Sequence, residues 1–337
     1  MPTRYLNVNS RDVTLSYLYE VLRTKIEECT AIKLLSNYCF RCISKDIQKK
    51  GMEFLYMHGF QKEQELLIEK NLQAEDPEVR HWAEAYRLSN LLREEKLPPK
   101  DVLEQLNELT PADRELYCFV EMLKIQVNMK LFNYEPAVNF LNIAEELFAG
   151  IDDHLLQQFY QIRYRQILLT YYLARNEIII ARKTAYEIIN ETKNPYILVD
   201  THKKLGLSYT FDSYYLGMYH LKEALQIAKE NDIANEVYKI ENHTIPFLAA
   251  HFGKTENIKT KDLEEQAHLE IARGNKDKAI QILQSLRSKS PFQLYYLGKA
   301  KKDRAILMTA YKQFIHNYSD YFFGRLPLNE LKKLADF

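Results

Sequence analysis

The chain has 337 residues, of which 46% are hydrophobic, and its 46 basic and 46 acidic side chains give a formal net charge of zero. This composition is typical of a globular protein and differs from that of a disordered or collagen-like chain. Only 9 residues are glycine, and neither G-x-G-x-x-G nor G-x-x-x-x-G-K occurs, which argues against nucleotide-binding loops. The neutral charge also argues against a strongly basic face for duplex DNA.

No apolar run approaches the ~18 residues that span a bilayer, and the N-terminus has no secretory apolar region. We therefore predict a soluble, intracellular protein without a membrane partner. The four cysteines include one C-x-x-C, Cys39 to Cys42. A second such pair, or paired histidines at the right spacing, would be needed to complete a zinc site. We predict buried, reduced thiols, with no metal and no cofactor.

Apolar residues recur at intervals of three and four along the whole chain, as in 116–127 and 167–174. Strict alternation over the length of a strand is hard to find. Prolines punctuate a chain of periodic segments of about 12 to 20 residues, often with Asp, Ser or Thr just ahead as a helix N-cap. The pattern predicts an all-α chain of roughly eighteen helices joined by short turns.

Several helix pairs share a pattern of small residues. Ala137, Ala181, Gly217 and Ala279 each begin a set that continues at +4 and +7, as in the second helix of a tetratricopeptide repeat. A pair near 232–252 lacks the pattern. We predict a right-handed superhelical solenoid of degenerate tetratricopeptide-like helix pairs, whose groove holds an extended peptide or a helix of another protein.

Close helix contacts also explain where some of the few glycines occur. Gly206 and Gly217 fall where two helices are expected to approach each other, and Gly274 falls at a predicted turn. No H-E-x-x-H or G-x-S-x-G motif occurs, and paired carboxylates lie on amphipathic helices, where a solvated face is the default interpretation. We predict that the protein is not an enzyme and has no catalytic residues.

Four C-terminal segments, 262–268, 275–279, 294–298 and 320–328, together resemble the end of the AimR family, the arbitrium receptors of phages that infect Bacillus. The stretch Arg325-Leu-Pro-Leu is the most specific part. Weaker similarity extends back to about residue 15. The resemblance implies a dimeric, tetratricopeptide-like receptor that binds a short secreted phage peptide. In its peptide-free form the family binds a DNA operator and promotes lysis, which places it in the cytoplasm of the bacterial host.

From the resemblance we expect a short N-terminal segment (1–14), a tetratricopeptide-like domain (15–300) and C-terminal capping and dimerisation helices (301–337). The expected contacts of a homodimer are Tyr311, Phe314, Tyr321, Phe322 and Leu331. The expected peptide-binding residues are Arg163, Gln166, Thr170, Tyr171, Lys203 and Leu207, where side-chain donors and aromatic rings suit a peptide.

Two features depart from the family. The segment that usually follows its helix-turn-helix aligns with 14–25, and the dozen residues ahead of it are too few for that domain. Where the family places asparagines and an arginine for its peptide, this chain has Thr170, Ala174, Tyr196 or Ile197, and Leu207. The alternatives are therefore a peptide-sensitive DNA-binding regulator and a paralogue without DNA binding that acts as a protein interaction module.

Overall fold

The structure, a computed structural model, describes residues 12–287 and 290–335. Within these ranges it is entirely helical, which confirms the predicted all-α class. The helices, in chain order, are α1 (Leu15–Arg23), α2 (Glu28–Arg41), α3 (Lys45–Met57), α4 (Gln61–Leu72), α5 (Pro77–Arg93), α6 (Pro99–Glu108), α7 (Arg114–Lys130), α8 (Glu135–Ala149), α9 (His154–Ala174), α10 (Ile178–Glu191), α11 (Pro195–Ser208), α12 (Tyr214–Glu230), α13 (Ala234–Lys239), α14 (Ile245–His251), α15 (Leu263–Ala272), α16 (Lys276–Ser285), α17 (Pro291–Lys301), α18 (Arg304–Lys312) and α19 (Arg325–Ala335).

A π-helical turn, Ile240–Thr244, joins α13 and α14 into one interrupted helix, so the described residues form eighteen helices if that pair is taken as one. A second π-helical turn, Gln313–Asn317, extends α18. Such turns insert an extra residue into the helical hydrogen-bond pattern and are frequent at functional sites. The first of them falls in the region where the small-residue pattern of the sequence is lost.

Local sequence sets where many helices begin. Proline occupies the first position of α5, α6, α11 and α17, where its missing N–H costs nothing. Side-chain oxygens just ahead of other helices accept hydrogen bonds from the first-turn amides, as predicted. These N-caps are Thr14, Ser44, Asp76, Asp113, Ser213, Asp262, Ser290 and Asp303.

The chain divides into two compact units. Unit 1 comprises residues 1–167 and 191–194, and unit 2 comprises 168–190 and 195–337. The expected segments 15–300 and 301–337 stay predictions, and most of 1–14 lies outside the described residues.

In unit 1 the core contains a buried ion pair. Arg163 donates from Nε and Nη2 to the two carboxylate oxygens of Glu53, over 2.6 and 2.8 Å, and the two residues are 3% and 0% exposed. The guanidinium also lies over the rings of Tyr56 and Phe119, with its carbon 4.2 and 4.9 Å from their centroids. Because both charges are removed from water, each depends on the other.

In unit 2 two glycines allow α11 and α12 to come together. A methyl group on Gly206 would lie 2.7 Å from Leu221 Cδ2 and 3.0 Å from the carbonyl oxygen of Gly217. A methyl group on Gly217 would lie 2.7 Å from Leu248 Cδ2 and 3.0 Å from the carbonyl oxygen of Gly206. The prediction of close helix contacts at both glycines is thus confirmed. Gly274, at φ +90°, occupies the turn predicted for it.

The other small residues of the repeat pattern, Ala137, Ala181 and Ala279, are at most 1% exposed. They lie in the first two turns of α8, α10 and α16, and Gly217 lies at the corresponding place in α12. Small side chains at these positions let neighbouring helices pack closely.

We expect Glu53→Met to lower the free energy of unfolding by about 3–5 kcal/mol, because it leaves the Arg163 guanidinium buried without its counter-charge. The double variant Glu53→Met, Arg163→Met should recover most of this loss, since two apolar side chains replace the pair. Urea unfolding followed by circular dichroism measures both. A double variant less stable than the single one would contradict this account.

We expect Gly206→Ala and Gly217→Ala each to lower the free energy of unfolding by about 1–3 kcal/mol through overpacking, although alanine is the better helix former by ~1 kcal/mol. Gly51→Ala is the control, since there the added methyl group meets only side-chain atoms, at 3.1 Å or more. Its effect in thermal unfolding should be smaller. Stabilisation by either of the first two substitutions would refute the close contact.

Candidate functional site

The predicted peptide-binding residues of unit 1 lie on α9. Arg163 donates from Nε and Nη2 to Glu53 in the core and is 3% exposed, which leaves its side chain little surface for a ligand. The sequence could not show this, because Glu53 precedes Arg163 by 110 residues. Gln166 is half-buried.

In unit 2, Thr170 and Tyr171 lie near the end of α9, and both are half-buried. Lys203 and Leu207 lie one turn apart on α11, so they share a face of that helix. Leu207 packs against the main apolar core of unit 2. Of the positions that depart from the family, Ala174 and Ile197 are 7% and 0% exposed, so their side chains offer no surface to a ligand.

A row of paired charges joins α11 to α13. Lys203 Nζ donates to Glu236 Oε2 over 2.5 Å, and Lys239 Nζ donates to the other oxygen of Glu236 over 3.3 Å. One residue further along α11, Lys204 pairs with Asp200 over 2.6 Å. Lys203 and Glu236 keep about a fifth of their side-chain surface exposed, so a ligand carboxylate can reach the Lys203 ammonium only in competition with Glu236.

A cleft of about 1050 Å³ lies along another side of α13. Thr260 and Lys261 form the opposite wall of the cleft and are hydrogen-bonded to Asn242 in the π-helical turn. The Oδ1 of Asn242 accepts from Lys261 N over 2.8 Å, and its carbonyl oxygen accepts from Thr260 Oγ1. The sequence analysis missed this cleft, although the lost repeat pattern at 232–252 marked the region. Its lining residues are Ala228, Lys229, Asp232, Ala234, Val237, Tyr238, Glu241, Asn242, Ile245, Asn257, Ile258, Lys259, Thr260 and Lys261.

Two buried histidines face each other between α11 and α12. His202 Nδ1 lies 3.1 Å from His220 Nδ1, and His220 Nε2 lies 3.2 Å from the hydroxyl of Tyr186 on α10. Burial lowers the pKa of His220 to about 4, and the nearby His202 and Arg182 add to this effect. Burial also lowers the pKa of His202. Both rings are therefore neutral at pH 7.

The predicted dimer contacts in the C-terminal helices are mostly internal. Phe314, Phe322 and Leu331 are 1%, 1% and 5% exposed within the single chain, so their side chains offer little surface to a second subunit. Phe322 lies in edge contact with Phe211, with ring centroids 5.1 Å apart. Tyr311 is half-buried and Tyr321 is exposed, and both remain candidates.

Cys39, Cys42 and Cys118 are buried free thiols, as predicted, whereas Cys29 is exposed. Burial raises the pKa of the Cys118 thiol to about 12. Across 12–287 and 290–335, no three His, Cys, Asp or Glu residues are grouped so that they could hold a metal ion. In the same part of the chain, no helix combines the length and the apolar character needed to cross a membrane.

Because the pKa of His220 is about 4 in the folded protein and ~6.5 in an unfolded chain, the unfolded state binds the proton more readily. The stability that depends on the neutral ring is complete above pH 6.5 and is lost as the pH falls towards 4. We expect the His220 ring signals in NMR spectra to titrate near pH 4. A midpoint near 6.5 would contradict the burial of this ring.

A family profile described as "AimR transcriptional regulator-like" matches residues 31–333. None of the curated proteins matches the chain. Two solved structures, "Structure of phAimR-Ligand" and "Structure of SeMet-phAimR", share the fold, with TM-scores of 0.80 and 0.67 and 16% sequence identity in each case. Both alignments cover 98% of this chain, and they cover 100% and 88% of the respective structures. Since the family profile spans most of its length, the chain belongs to the AimR transcriptional regulator-like family.

Proposed function

We propose that the protein is a phage regulatory receptor that binds a short signalling peptide and thereby controls the choice between lysis and lysogeny. The family match over residues 31–333 carries this proposal. The likeness in fold to a structure described as a complex of phAimR with a ligand supports it. On this proposal the helix pairs form a right-handed superhelical, tetratricopeptide-like groove, and the receptor works as a homodimer in the cytoplasm of the bacterial host.

We place the peptide against half-buried residues of unit 2 on α9 and α11, namely Thr170, Tyr171, Lys203 and Leu207. The positive charge on Lys203 makes this surface favour a ligand that carries a carboxylate. An ammonium group already bonded to the Glu236 carboxylate has the geometry to bind a carboxylate, such as the free end of a peptide. Tyr171 and Leu207 supply aromatic and aliphatic surface for the peptide side chains.

The same ion pair offers a route from binding to regulation. A peptide carboxylate that takes Lys203 must displace Glu236, which removes a contact between α11 and α13. A ligand shifts a conformational equilibrium only by its difference in affinity for the two states. The peptide would therefore favour a state in which α13 is released from α11.

The output of the receptor has two candidate forms. In the family it is peptide-sensitive binding of operator DNA. The zero net charge of this chain favours the other form, a paralogue that binds another protein instead of DNA. Binding to promoter fragments with a steep salt dependence would support DNA as the partner. Absent DNA binding, together with a protein that co-purifies, would support the interaction module.

Calorimetric titration with hexapeptides encoded beside the gene tests the receptor proposal. We expect saturable binding. The same peptide with an amidated C-terminus should bind more weakly, because it lacks the free carboxylate. No heat of binding at high micromolar concentrations of each hexapeptide would refute the proposal.

We expect Lys203→Met to weaken peptide binding about 10- to 100-fold, because a hydrogen bond to a charged group is worth ~1.5–3 kcal/mol. Lys204→Met is the matched control, since Lys204 is the neighbouring residue on α11 and pairs with Asp200 instead. It should leave the dissociation constant nearly unchanged in the same titration. Equal losses in the two variants would show that the ammonium of Lys203 has no special role.

A further inference from the structure

The cleft beside α13, which we name the α13 cleft, is separate from the residues proposed to bind the peptide. Its volume of about 1050 Å³ corresponds to the upper end of the range for small-molecule pockets, ~300–1,000 Å³. Its lining residues fall between Ala228 and Lys261, within unit 2. Lys203 and Glu236 are not among them, although Glu236 lies on the same short helix. The α13 cleft is therefore a candidate site for a second ligand.

One side of the cleft is apolar and aromatic. Val237 and Tyr238 on α13 and Ile245 at the start of α14 line it, and Ile258 adds a further apolar side chain from the loop between α14 and α15. Tyr238 is 46% exposed, and its ring lies edge-on to that of His243, with centroids 5.8 Å apart. An accessible tyrosine ring among aliphatic side chains suits a ligand with an aromatic body.

The loop between α14 and α15 brings two lysines to the cleft. Lys259 and Lys261 both line it and are exposed. Within the described part of the chain, neither ammonium group is held in an ion pair. The third lysine of the lining, Lys229, is bonded to Glu241 over 2.7 Å, and the remaining acidic residue is Asp232. The charges of Lys259 and Lys261 are therefore available to an anion.

Hydrogen bonds fix this loop before any ligand binds. Asn242, in the π-helical turn, accepts from Lys261 N at its Oδ1 over 2.8 Å and from Thr260 Oγ1 at its carbonyl oxygen. From α15, Arg273 donates to the carbonyl oxygen of Ile258 over 2.9 Å. Because the loop is already tied to the helices on both sides, a ligand loses little free energy in ordering it. A π-helical turn is also frequent at functional sites.

Together these features select one class of ligand. A cation would be repelled by the two ammonium groups, and an inorganic anion would gain nothing from the apolar side. An uncharged aromatic compound would use the ring of Tyr238 and leave Lys259 and Lys261 without a partner. A molecule with an aromatic body and one negatively charged group uses both sides, since ammonium groups form their strongest hydrogen bonds with anions.

We propose that the α13 cleft binds a small organic anion, whose aromatic body packs against Tyr238 and whose charged group binds Lys259 and Lys261. The inference goes beyond the proposed function, because it gives the receptor a second ligand at residues that the peptide does not use. A carboxylate and a phosphate both suit the two ammonium groups, and the experiment distinguishes between them.

Saturation-transfer NMR titration of the full chain with three naphthalene probes tests the proposal. The probes 1-naphthylacetate, 1-naphthyl phosphate and 1-naphthalenemethanol share one ring system and differ in the end group. We expect saturable binding of at least one anion, and binding of the uncharged alcohol at least ~10-fold more weakly, the factor that a hydrogen bond to a charged group supplies. The anion that binds more tightly identifies the ligand as a carboxylate or a phosphate.

Variants assign the binding to the cleft. The double variant Lys259→Met, Lys261→Met should weaken binding of the anion at least ~10-fold, to the level of the alcohol, and leave binding of the alcohol unchanged. Tyr238→Ala should weaken binding of all three probes, because it removes the ring against which they pack. All three side chains are exposed, so the far-UV circular dichroism spectrum and the melting temperature should not change.

The matched control is the double variant Lys254→Met, Lys276→Met. It removes two positive charges from exposed positions that do not line the cleft, so binding of the anion should be unchanged at 0.15 M salt, where distant charges are screened within ~8 Å. Equal losses in the two double variants would overturn the proposal. So would anions that bind no more tightly than the alcohol.

Peptide titration separates this inference from the receptor function. Lys203→Met should leave binding of the naphthyl anion unchanged, because Lys203 does not line the cleft. A chain that binds the naphthyl anion through Lys259 and Lys261 but no hexapeptide would refute the receptor proposal alone. A chain that binds a hexapeptide but none of the three probes would refute the α13 cleft alone.

Discussion

The close approach of α11 and α12 at Gly206 and Gly217 is the constraint on which much of unit 2 depends. Each glycine lies against the backbone carbonyl of the other, with no room for a methyl group. This contact sets the distance between the facing histidines of the two helices, 3.1 Å between ring nitrogens. Lys203, which is proposed to bind the peptide, lies on α11 with about a fifth of its side chain exposed.

Charged groups in this protein serve two opposed purposes that sequence alone does not distinguish. The Arg163 and Glu53 pair is sealed in the core of unit 1, where each charge is balanced by the other and the pair favours one arrangement of its helices. The Lys203 and Glu236 pair is partly accessible, so water and ligands can compete for it. The two ion pairs have the same chemistry and differ in burial. The buried Arg163–Glu53 pair is closed to other partners, whereas the Lys203–Glu236 pair can exchange its partner for a ligand.

Periodicity, N-cap residues and prolines determined the all-α class, the approximate number of helices and many of their starting points, because these depend on interactions between residues a few positions apart. The repeat pattern also marked Gly217 as a close helix contact and Ala137 and Ala181 as buried positions. The tertiary structure alone decided which polar and aromatic residues face solvent. The sequence pattern predicts Arg163 as a groove donor, whereas in the fold it pairs with Glu53, which lies 110 residues earlier. Phe314 and Phe322, predicted at a surface, are core residues. Conversely, Ile179 and Tyr215 fit an ordinary helical pattern, and only the packing of α10 and α12 shows that nothing within the described chain covers them. Burial depends on residues distant in sequence, so a helical pattern indicates which residues share a face, whereas the folded chain determines what that face meets.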